Sequence, residues 1–157
     1  MIDIKADASN FKLVAIEDIH LNPDNNNFHS DEQVDHLVEQ FKFQGYRDPL
    51  IISSRSGFVI CGEGRFLAAK KAGMTHLPAS YQHFDSEDQE YAFLTAHNAT
   101  ARWSEMDFSK INTKIGEFGP DFNLDMLGIK HFTIQPMGKF EMEDELQEDM
   151  NKSLFLR

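Results

Sequence analysis

Between the β-branched pair Val59-Ile60 and the helix-favouring run Arg65 to Ala72, the chain passes through Gly62-Glu63-Gly64, and no other stretch constrains the fold as much. Gly73 stands where a helix of that length needs its stop. The pattern predicts a strand, a tight turn and a helix N-terminus. Two glycines let backbone N–H groups come close to an anion. The first helical turn offers unpaired donors and the positive end of the dipole, and Arg65 adds a planar charged fork. That combination points to phosphate binding. The competing reading is a plain strand-to-helix connection, because Gly-x-Gly alone is a common motif.

At 157 residues, 41% of them hydrophobic, the chain suffices for one sizeable core. No apolar run approaches a membrane span, and Met1 to Asn10 lack the regions of a signal peptide, so a soluble, cytoplasmic chain with no membrane partner is expected. Cys61 is the single cysteine, which excludes an internal disulfide and a thiolate metal cluster within one chain. It reads as a small buried apolar residue, with a reactive thiol as the alternative. The formal net charge of −11 argues against strong direct DNA binding. Part of that charge is local, since residues 141–149 hold six carboxylates and no basic residue, as a solvated tail or exposed short helix would. His20, His29, His36, His76, His83 and His131 show no paired metal-ligand spacing and read as structural or surface residues.

In chain order, Leu13 to Leu21 is compatible with a strand or short edge segment, and Asn22 to Asn27 form a polar loop long enough to border a site. Ser30 and Gln33 have capping-box spacing, followed by Val34, Leu37, Val38 and Phe41 on one face of a helix ending near Gly45. Pro49 to Ile52 and Phe58 to Ile60 are strands around a hairpin-like Ser53 to Gly57. His76 to Tyr81 make one more strand, with Pro78 arguing for its start or an edge. Ser86 and Gln89 open a second amphipathic helix through Asn98. Two weaker helical stretches, Asp107 to Phe118 and Phe122 to Leu127, are divided by Gly119-Pro120.

Taken together, Asn22-Pro23, His29 to Gln33, Gly45 to Ile52, Ile60 to Gly73 and Met126 to Ile129 resemble the ParB N-terminal domain, of the ParB/sulfiredoxin fold. The resemblance covers about residues 11 to 131 and is narrowest with single-domain members of phages and mobile elements, often found beside DNA methyltransferases. It implies an α+β domain with a small mixed sheet and flanking helices over 11–103, a helical C-terminal extension over 104–131 and an acidic tail over 132–157. In chromosome-partitioning relatives a Gly-Glu-Arg-Arg motif binds the triphosphate of CTP. Gly62-Glu63-Gly64-Arg65 falls on it, with Gly64 in place of the third-position arginine and so one guanidinium fork fewer. The Gly-x-x-x-Pro-hydrophobic motif that frames the nucleotide falls on Gly45 to Leu50.

A Glu-Asn-x-x-x-Arg-like stretch that helps hold magnesium falls on His97 to Arg102, with an imidazole, a poor magnesium ligand, in the acidic place. The resemblance thus implies a nucleoside triphosphate, CTP or ATP, held by Gly45, Gly62, Glu63, Gly64, Arg65, Asn98 and Arg102, with magnesium on Glu63 and Asn98. The sulfiredoxin Gly-Cys-His-Arg pattern is not matched, which disfavours sulfinic-acid reduction. Glu63 as a catalytic base in a nucleotide hydrolase, small-molecule kinase or nuclease is the enzymatic alternative. Its own alternative is a Glu63 that only caps backbone donors or pairs with Arg65. An interaction module with a degenerate site is the third reading. Implied partners are a nucleotide, a DNA-processing protein such as a methyltransferase and a second copy of the chain as a homodimer. No helix-turn-helix or dimerisation domain of the partitioning proteins is recognisable.

Overall fold

The computed structural model describes residues 11–134, so the acidic segment 141–149 lies outside the described residues. Two compact units follow one another, one through Met106 and one from Asp107. In the first, five strands form a mixed sheet in the order β1-β5-β3-β4-β2, from β1 (Phe11–Ala15), β2 (His20–Leu21), β3 (Leu50–Ser53), β4 (Phe58–Cys61) and β5 (His76–Gln82). β1 pairs antiparallel with β5 and β3 antiparallel with β4, while β3–β5 and β2–β4 are parallel. Three helices accompany the sheet: α1 (Asp31–Gln44), α2 (Glu63–Lys71) and α3 (Glu87–Thr100). The architecture is α+β, as the sequence predicts.

α1 and α3 start where side-chain chemistry satisfies their first amides. Ser30 Oγ accepts from the Gln33 amide and Ser86 Oγ from the Gln89 amide, at 3.2 and 3.3 Å. At the far end of α2 the Met74 amide bonds the Ala69 carbonyl and the Gly73 amide the Lys70 carbonyl, a Schellman closure. The alternation of β3 divides the core. Leu50 and Ile52 join Val59, Leu77, Ala79, Phe66 and Ala69 on the face covered by α2. Ile51 turns to the opposite face, where Ile60, Cys61, Phe84 and Leu94 of α3 meet. α1 backs α2 through Val34, Val38 and Ala68.

Two local readings are refined. The apolar run Leu13 to Leu21 is not one strand: a 3-10 turn at Ile16–Asp18 divides it, and its halves lie on opposite edges of the sheet. β5 is an interior strand, yet Pro78 lies opposite Leu13 of β1 and before Ala79, where pairing with β3 begins, so its missing N–H falls outside the two-sided ladder. In the second unit α4 (Phe108–Phe118) is capped by Asp107, whose carboxylate accepts from the Lys110 amide at 3.1 Å. The second stretch is reduced to a 3-10 turn at Leu124–Leu127. No helix among the described residues is long and apolar enough to cross a membrane.

Candidate functional site

Gly62 is both the N-cap of α2 and the sharpest constraint in the molecule. Its φ is +106°, and a Cβ there would lie 2.6 Å from Leu50 Cδ2 and 2.8 Å from Arg65 Nη2. Only glycine combines the left-handed conformation with so close an approach. The first helical bond of α2 runs from the Phe66 amide to the Gly62 carbonyl at 2.9 Å, and Gly62 has no side chain with which to cap. The amides of Glu63, Gly64 and Arg65 therefore have no partner within the helix, the condition that lets a helix N-terminus receive an anion.

Arg65 returns across the turn to the Gly45–Pro49 loop. Its Nη1 donates to Asp48 Oδ2 at 2.6 Å and its Nη2 to the Pro49 carbonyl at 3.2 Å. The buried Nε and the buried hydroxyl of Tyr46 have no well-aligned hydrogen-bond partner, although the guanidinium lies within reach of the phenol. Burial pushes the Tyr46 phenol up from its usual value, against the pull of the Arg65 guanidinium. Glu63, in the first turn of α2, accepts a short hydrogen bond from Asn25 Nδ2. Among the described residues it makes no hydrogen bond or ion pair with Arg65, and the Asn22–Asn27 loop borders the turn. Gly64 is buried, and a Cβ on it would lie 2.9 Å from Nδ1 and 3.0 Å from Cε1 of His29. The imidazole, held to Gln33 Oε1 at 3.1 Å, fills the space beside the turn.

The fold therefore brings together Gly62, Glu63, Gly64 and Arg65 with the loop that begins at Gly45, the C-cap of α1. Asn98 lies in the last turn of α3 and Arg102 in the exposed 3-10 turn that follows. No hydrogen bond or ion pair among the described residues joins either of them to the glycine turn. His97 packs against the Phe93 ring, with centroids 6.0 Å apart. Among the described residues no group of three or more His, Cys, Asp or Glu side chains could hold a metal ion. Burial pushes the Cys61 thiol up to about 11, against Arg65, so the residue behaves as core and not as a nucleophile.

Sequence reasoning gave no contact at the turn to Asn25, His29 or Asp48 individually, which reach it from 17 to 38 residues away in the chain. It also passed over a second polar cluster. Glu90 of α3 is 4% exposed and accepts from Ser53 Oγ at 2.7 Å, Ser56 Oγ at 2.6 Å and Arg55 Nε at 3.1 Å. Burial alone would raise its pKa, but these bonds and the Arg55 charge outweigh it and hold the carboxyl below the usual range. A signal existed, for Glu90 lies four residues before Leu94 on the buried stripe of α3, where a lone carboxylate demands partners.

The model of the ParB N-terminal domain family matches residues 3–98. No curated protein matches the sequence. Among solved structures, the chain is similar to the C-terminally truncated chromosome-partitioning protein ParB from Caulobacter crescentus complexed with CTP-gamma-S, with 18% identity, a TM-score of 0.57, and 68% of this chain and 61% of that one covered. It is also similar to a pNOB8-like ParB-N domain, with 22% identity, a TM-score of 0.50, and 69% and 47% covered. A sulfiredoxin from Arabidopsis thaliana aligns more loosely, at 15% identity and a TM-score of 0.45 over 54% of this chain and 96% of that one. The chain thus spans about three fifths of the first of these structures and about half of the second. With the family model matched over most of its length, this chain belongs to the ParB N-terminal domain family.

Proposed function

We propose that this chain is a nucleoside-triphosphate-binding module that serves DNA-processing machinery, and that the phosphates sit on the Gly62–Arg65 turn. The observation that carries the reading is the turn itself: three backbone amides without helical partners, opened by a glycine that no other residue can replace, with a guanidinium folded across it. CTP is the first candidate, because the ParB from Caulobacter crescentus is described in complex with CTP-gamma-S; ATP is the second. Gly62 and Gly64 admit the phosphate, Glu63 and Arg65 flank it, and Gly45 opens the loop that would frame the nucleoside. Asn98 and Arg102 complete the proposed set from the end of α3.

The protein offers a magnesium ion only a thin donor set at the turn, the carboxylate of Glu63. Such an ion would be held mainly by the ligand's own phosphate oxygens and water, with Glu63 and Asn98 as its protein oxygens, and would neutralise phosphate charge. A thermal-shift series with CTP, ATP, GTP and UTP, with and without magnesium, tests the reading. At 100 times its dissociation constant a bound nucleotide stabilises the fold by about 2.7 kcal/mol, which a melting curve resolves. A shift with one nucleotide that disappears in Arg65→Ala is the expected result. No shift with any nucleotide overturns the proposal and leaves the interaction-module reading.

A further inference from the structure

Resting on that phosphate reading, we infer that Asp48 is a built-in competitor of the ligand, a carboxylate that occupies the anion-binding side of Arg65 until phosphate displaces it. The two partners differ in how they are held. The Arg65 side chain is 23% exposed, bonded to the Pro49 carbonyl and packed over Gly62, whereas the Asp48 side chain is 73% exposed. Nothing else among the described residues bonds the Asp48 carboxylate. Arg65 is thus fixed on the turn, and Asp48 reaches it from solvent.

An ion pair this exposed is weak, so a phosphate that also collects three backbone amides can displace the carboxylate. The cost of doing so enters the measured affinity. Displacement does not remove Asp48 from the mouth, where its charge still opposes a polyanion. Both effects act on phosphate charge and neither depends on the base. Asp48 therefore lowers the affinity of the turn for phosphate ligands, whatever base they carry.

The test is calorimetric titration of the full chain and of Asp48→Asn, which keeps the shape and removes the charge, with CTP and with inorganic triphosphate. The side chain is exposed, so the variant's melting temperature should match the parent's. Removing a competing exposed charge should tighten both ligands about three- to tenfold. Equal or weaker binding in Asp48→Asn overturns the inference while leaving the phosphate site standing. Tighter binding of CTP with none for inorganic triphosphate also overturns it, since Asp48 would then be sensing the nucleoside. No binding of either ligand by either protein removes the phosphate reading and the competitor together.

Discussion

The two ends of β4 carry the two polar clusters of this domain, and they are built on opposite principles. Where the strand begins, the Ser53–Gly57 hairpin is closed by Glu90, a buried carboxylate with every bond supplied from within the chain. Where it ends, the Gly62–Arg65 turn leaves three amides without helical partners, and its acidic neighbour Asp48 stands in solvent. A saturated cluster fixes one helix against one hairpin. An unsaturated one is where we propose a ligand, because donors without partners are costly to keep unless something else uses them. The difference teaches that, on the proposed reading, spare backbone donors rather than charge would mark the site.

The largest effect should come from Gly62→Ala. A left-handed residue with a Cβ 2.6 Å from Leu50 should lose about 3 kcal/mol of stability and roughly 10 °C of melting temperature. A drop of a degree or two would mean that the turn yields, and the contrast with the hairpin end would dissolve.

The two carboxylates should then separate. Glu90→Ala leaves Ser53, Ser56 and Arg55 facing an empty pocket and should cost about 2 kcal/mol in denaturant unfolding. Glu63→Ala, which loses one bond to a loop asparagine, should cost less than about 0.5 kcal/mol. Equal costs would break the comparison. The same contrast appears in acid. Because the folded Glu90 pKa lies below its unfolded value, its contribution is full above the unfolded pKa of about 4.3 and is lost as pH falls through the folded one. Glu90→Gln should therefore flatten the stability curve below about pH 4, and curves parallel to the parent's would contradict the saturated-cluster description. A further effect, on reactivity and not on stability, concerns Cys61. With its thiol near 11 and 4% exposed, it should react with a thiol reagent at pH 8 at least about a hundredfold more slowly in the native than in the unfolded chain.

What the sequence disclosed follows the range of the interactions. The caps of α1 and α3 rest on Ser30–Gln33 and Ser86–Gln89, pairs three residues apart, and both helices form where those pairs stand. The Schellman closure of α2 needs only Ala69 to Met74. The Gly62 turn was legible because a strand, two glycines and a helix are contiguous. Asn25 on Glu63 and Asp48 on Arg65 were not, since loop residues acquire meaning only when the sheet order brings α1 and β3 beside α2. The division of Leu13 to Leu21 was hidden for a related reason, because hydrophobic alternation specifies a face of a sheet and not an edge.

Backbone amide chemical shifts during a titration with CTP test the central claim most directly, since the proposed ligand contacts are amides. Glu63, Gly64 and Arg65 should show the largest changes, with smaller ones in the Gly45–Pro49 loop. A titration that saturates with its largest changes elsewhere, or that leaves these three amides unmoved, would contradict the assignment of the phosphate site to this turn.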